Sequence, residues 1–233
     1  MDRYTWRHNQ VLYILIAHIP GRLIRHNANW KKQDATSQPI AFTRAGQHPA
    51  VPKARARTSK PSQLLNKAGD WKLLVDIPEA ELVFPPVICD TSLRPDVVMW
   101  SETAKTVIMG ELTCPWEANH HNAHFRKTAK YQDLKRTIEP NGWEAHLFPF
   151  ELPALGTAAP SFNVFLDVFG LPRKQASHIR NRCVDTVTRA SYIIYKSHYP
   201  TTWHEFDLVK RPSQEALQKI FPSLRTAGLA PLH

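Results

Sequence analysis

The spacing of apolar residues divides this chain into blocks with different periods. From Trp6 to Ile19 an almost continuous apolar middle predicts a helix, packed rather than exposed, that ends at Pro20-Gly21. From Asn27 to about Asn66 the chain turns polar and basic and is broken by Pro39, Pro49, Pro52 and Pro61, which reads as a linker, largely disordered without a partner. Order returns at Asp70-Trp71, with a strand from Trp71 to Ile77 stopped by Pro78, and Phe84-Pro85-Pro86 enforces an extended turn. Two short runs rich in β-branched residues, ending at Trp100 and beginning at Val107, flank a polar connector and predict a β-hairpin. A helix follows from about Glu117 to Glu139, closed by Pro140-Asn141-Gly142, and then a strand from Trp143 to Glu151. A short apolar helix, Phe162 to Phe169, precedes a long one from about Arg173 to Lys196 with Ile179, Cys183, Val187, Ala190 and Ile194 on one face. Beyond Tyr199-Pro200 a mixed tail holds one or two helical turns from Ser213 to Ile220. This order predicts an α/β domain built on a mixed β-sheet flanked by helices. The expected division is an N-terminal helix on the core (1–26), a basic linker (27–67), the core itself (68–199) and a tail (200–233).

The hairpin carries the first candidate chemistry. If Glu102 to Lys105 form a four-residue loop, Ser101 pairs with Thr106 and Asp96 falls directly opposite Glu111. Cross-strand neighbours have Cβ atoms roughly 4.5–5.5 Å apart. Two carboxylates that close repel unless a proton or a cation lies between them. Oxygen ligands on a rigid hairpin suit a hard divalent ion such as Mg²⁺, with Mn²⁺ as the substitute. The competing reading is an exposed hairpin whose acids face water.

Charge adds a second theme. The formal net charge is +10, and residues 1–67 hold 12 Lys or Arg against Asp2 and Asp34, while residues 68–233 balance. All of the excess therefore lies in the N-terminal arm, where Lys53, Arg55, Arg57 and Lys60 could follow a phosphate backbone. The alternative is a solvated linker that touches nothing. Cys89, Cys114 and Cys183 are widely spaced, which argues against a disulfide framework or a cysteine zinc site. No apolar run approaches the ~18 residues of a membrane span and no signal-peptide layout precedes the first helix, so the expectation is an intracellular protein without a membrane partner.

Position 113, two residues after Glu111 and on the same face of the strand, holds Thr113 where a lysine could steady a metal-bound water or a phosphate. On the following helix Lys127, Tyr131, Leu134 and Ile138 fall within roughly 60° of one another, so Lys127 lies on the inward stripe and Lys130 on its shoulder. Lys127 is the first candidate for the missing cation and Lys130 the second. Tyr131 could donate its hydroxyl to the same centre or serve as a plain core aromatic. His120 and His124 have i, i+4 zinc spacing without a third ligand, and Glu117 suits a helix N-terminus. Neither a nucleophile triad nor a glycine-rich phosphate loop has a motif in its favour.

Taken in order, Arg94-Pro95-Asp96, Glu111-x-Thr113 and Lys127 to Tyr131 on a helix resemble the PD-(D/E)xK restriction-endonuclease-like fold. The pattern is more closely similar to the endonuclease region at the C-terminus of non-LTR retrotransposon polyproteins. Trp6-Arg7-His8-Asn9, Ser92-Leu93-Arg94-Pro95-Asp96, Glu111-Leu112-Thr113-x-Pro115-Trp116-Glu117 and Arg126-Lys127-x-x-Lys130-Tyr131 carry that likeness. It covers about residues 3–19 and 70–196. The resemblance implies a metal-dependent endonuclease that nicks DNA in the nucleus. Asp96 and Glu111 would bind Mg²⁺, Lys127 or Lys130 would take the lysine role displaced from position 113, and Tyr131 would stand beside it. The chain departs from the polyproteins in lacking an upstream reverse transcriptase and zinc knuckle and in its insertion around residues 27–66. A catalytically inactive nucleic-acid-binding module of the same fold therefore remains the alternative.

Overall fold

A computed structural model describes residues 2–34, 64–197, 203 and 206–221. Four strands form one mixed sheet in the order β1 (Lys72–Val75), β2 (Val97–Ser101), β3 (Thr106–Thr113) and β4 (Glu144–Glu151). The first two pairings are antiparallel and β3–β4 is parallel. The parallel pair is joined by α2 (His120–Ile138), as a parallel connection requires a crossover of a dozen residues or more. The other helices are α1 (Arg3–Asp34), α3 (Pro160–Val168), α4 (Arg173–Lys196) and α5 (Gln214–Ile220).

Strand alternation sorts the core into two layers. Val97, Met99, Ile108 and Leu112 face α1, α3 and α4, whereas Val98, Trp100, Val107 and Met109 face Tyr131, Leu134 and Ile138 of α2. Both faces of the sheet are covered, which is why β2 and β3 read as nearly unbroken apolar runs. Gly110 allows α3 its close approach: a Cβ there would lie 2.6 Å from the Phe165 ring.

The long helix near the N-terminus corrects one expectation. Pro20-Gly21 does not end it; α1 continues to Asp34 with Pro20 inside, so residues 27–34 are helical. An interior proline costs roughly 3 kcal/mol. Ile19 and Leu23, both nearly inaccessible, flank it, and burying two such side chains contributes about 1.5–3 kcal/mol each. Packing outweighs the proline. The far end of the expected linker is corrected too: Leu65–Lys67 form a 3-10 turn, with Leu64 and Leu65 buried in the core. Residues 35–63, including Lys53, Arg55, Arg57 and Lys60, lie outside the described residues.

Candidate active site

The hairpin register puts the two acids together. Ser101 pairs with Thr106 and Val97 with Gly110, so Asp96, one residue before β2, stands opposite Glu111. By alternation both side chains leave the sheet on the face that α2 covers. Glu111 is almost fully buried and Asp96 nearly so.

Four contacts hold the Asp96 turn. Its amide donates to Glu111 Oε2 at 3.2 Å, and its Oδ2 accepts the Leu112 amide at 2.7 Å. The Asp76 amide donates to the Asp96 carbonyl at 2.8 Å. Two residues further back, the Tyr131 hydroxyl donates to the Arg94 carbonyl at 3.0 Å while the Arg94 guanidinium grips both oxygens of Asp76. Asp96 is thus fixed by backbone and side chains alike.

Two cations meet the carboxylates. The Lys127 ammonium donates to Glu111 Oε1, and His8 Nε2 lies 3.1 Å from Asp96 Oδ2. The other ring nitrogen of His8 is 3.2 Å from Asn9 Oδ1, so both face acceptors, as suits an imidazolium. Burial opposes that charge, but the Asp96 carboxylate and its hydrogen bond carry His8 up to about 9. Burial and the neighbouring Asp96 push Glu111 above the usual carboxylate range, against the pull of Lys127.

The two candidate lysines separate. Lys127 touches Glu111, whereas Lys130 Nζ lies 2.8 Å from the Tyr131 hydroxyl and 4.5 Å from its ring centroid. Tyr131 therefore acts on the Asp96 turn through Arg94, with its phenol pushed up by burial and by Glu111. His124, offered above as one of a zinc pair, instead meets Glu151 Oε1 at 2.9 Å through Nδ1, and the His120 side chain lies outside the described residues. Glu117 accepts the Leu155 amide.

A cleft of about 470 Å³ opens beside the acids, walled by Arg7, His8, Asn9, Thr113, Arg126 and Lys127 among others. Arg7 is buried, and its guanidinium donates to the Ser191 hydroxyl and the Cys114 carbonyl, leaving Nε without a partner. The Thr113 hydroxyl is also buried and unpartnered on this wall. In the sequence, what marks Arg7 and His8 is a run of four consecutive polar residues, Arg7 to Gln10, set into an apolar helix.

The donor set can be matched to a metal. Among the described residues no three His, Cys, Asp or Glu side chains converge on one point. Mg²⁺ needs less, because one or two carboxylates plus water and substrate phosphate suffice. Asp96 and Glu111 supply that pair, and the orphaned Thr113 hydroxyl beside them suits a site completed by water or ligand. No helix among the described residues is long and apolar enough to cross a membrane.

Set beside known proteins, the chain matches no family model, no curated protein and no solved structure.

Proposed function

We propose that this chain is a metal-dependent DNA endonuclease domain of the restriction-endonuclease-like class, derived from a retrotransposon and acting in the nucleus. The observation that carries the reading is the meeting of Asp96, Glu111 and Lys127 across two strands and the adjoining helix. Asp96 and Glu111 would hold Mg²⁺ or Mn²⁺, which when bound supplies a hydroxide nucleophile and charge neutralisation at phosphorus. The chain's own residues do the remainder. Lys127 places an ammonium where negative charge develops, and Arg126 presents a guanidinium group from the cleft wall to a flanking phosphate, while Arg7 braces that wall through Ser191 and the Cys114 carbonyl. Tyr131 holds the Asp96 turn through the Arg94 carbonyl and also bears on Glu111, and Lys130 supports the Tyr131 hydroxyl and adds positive charge beside Glu111.

One observation favours the catalytically inactive, nucleic-acid-binding reading: Lys127 and His8 already neutralise the acids that would bind metal. Plasmid nicking separates the two. Purified chain with Mg²⁺ or Mn²⁺ is expected to convert supercoiled DNA to open circles, and Asp96→Ala to abolish it. Equal nicking by both proteins, or none by either, removes the enzymatic reading.

A further inference from the structure

Helix α4 carries six Lys or Arg and a single acid, Asp185. At 100° per residue, His178, Arg182, Arg189 and Lys196 fall within about 40° of one another, and all four are exposed. They form a stripe along the solvent side of the helix. From His178 to Lys196 the rise is roughly 27 Å, the length of about eight base pairs.

At the upper end of the stripe Arg182 is flanked by two histidines. Arg182 Nη1 lies 3.2 Å from His18 Nε2 on α1, and the His18 and His178 rings meet edge-on at 5.8 Å. Burial, then Arg182 and His178, hold His18 below its ordinary value. His18 thus accepts from Arg182 and leaves the guanidinium charge uncompensated. The single acid on the stripe is spoken for, with Asp185 3.0 Å from Arg189 Nε.

The cleft lies on the other flank of α4. Arg7, on the cleft wall, donates to Ser191 Oγ at 2.8 Å, and Ser191 stands roughly 160° around the helix from the stripe. The stripe is therefore a surface apart from the acids.

We propose that this stripe grips the phosphate backbone of duplex DNA, as a contact surface separate from both the cleft and the arm at residues 53–60. The proposal takes its ligand from the nuclease reading above and deepens it. A duplex laid along α4 meets a row of guanidinium and ammonium groups from Arg182 to Lys196. The contacts are to phosphate and carry no base sequence.

The test is fluorescence anisotropy with the full chain, a labelled 20-base-pair duplex and EDTA, repeated over a potassium chloride series. Each phosphate contact contributes about 0.9 to the slope of log affinity against log salt. The triple variant Arg182→Gln, Arg189→Gln, Lys196→Gln is expected to lower that slope by about two to three and weaken binding at least ten-fold at low salt. The arm is unchanged in every variant, so its contribution cancels. A triple variant with wild-type slope and affinity overturns the proposal. Asp185→Asn, which frees Arg189, is expected to tighten binding about two-fold, and it decides the matter with Arg182→Gln alone if the triple variant does not fold. Unchanged binding in both counts against the stripe. Wild-type chain that ignores duplex but binds vesicles of anionic phospholipid also overturns it. Magnesium nicking assays in parallel keep the two readings apart. Binding lost in the triple variant with no nicking by wild type leaves the stripe standing without the nuclease. Nicking by wild type with unaltered triple-variant binding does the reverse.

Discussion

Two groups of buried carboxylates lie within a few residues of each other in this sheet and have opposite surroundings. Glu151, at the end of β4, is 3% exposed, and it accepts from Ser161 Oγ at 2.5 Å and meets His124 at 2.9 Å. Both of its oxygens are used to fasten the start of α2 and the start of α3 to the strand. Asp96, just before β2, and Glu111, on β3, are about as buried but face each other, gather Lys127 and His8, and border an open cleft. A buried acid is therefore not a functional signal by itself. Like charges brought together beside solvent, with cations in attendance, are the more informative arrangement.

The largest expected effect comes from removing one member of the facing pair. Asp96→Asn keeps the shape and is expected to cut plasmid nicking by about a hundred-fold or more, while Glu151→Gln is expected to nick at a near-wild-type rate at 25 °C. If Glu151→Gln loses as much as Asp96→Asn, the contrast between the two groups fails. Next, Lys127→Ala is expected to lose about a hundred-fold in single-turnover rate and Lys130→Ala less than ten-fold. The reverse order would move the cationic role to Lys130.

Stability sharpens the same contrast. Glu151→Ala strands His124 and Ser161 and is expected to cost roughly 1–3 kcal/mol, read as an earlier urea midpoint than wild type. The effect spread over the widest pH range concerns His8. Its value of about 9 lies above its ordinary 6.5, so its stabilisation is complete below pH 6.5 and disappears as pH rises through 9. Denaturation in EDTA should show wild type losing at most roughly 3 kcal/mol over that interval, with a flatter profile for His8→Ala. Parallel profiles would show that His8 is not held as an imidazolium by Asp96.

The hairpin was legible because its four-residue connector fixes the pairing, and a period of two then decides which side chains share a face. The Asp96–Glu111 opposition followed from counting. Helix α4 was equally legible, its bounds and its buried stripe of Ile179, Cys183, Val187 and Ala190 following from 3.6-residue spacing. The extension of α1 past Pro20 was not, since local rules stop a helix there and only packing of Ile19 and Leu23 overrides them. His8 was hidden for a related reason. Its partner is 88 residues away, and nothing within the Arg7-His8-Asn9 triplet points to Asp96. Lys127 and Lys130 both lay near the inward stripe, and a helical wheel cannot tell a side chain that reaches Glu111 from one that stops at Tyr131.

The bond from the Leu112 amide to Asp96 Oδ2 gives the cleft a built-in gauge of assembly. Arg7 reaches Ser191 across 184 positions, so the walls close only when both ends of the chain have docked. Deuterium uptake at that single amide would then track global unfolding rather than fraying of the hairpin, and it would report closure before any substrate is added.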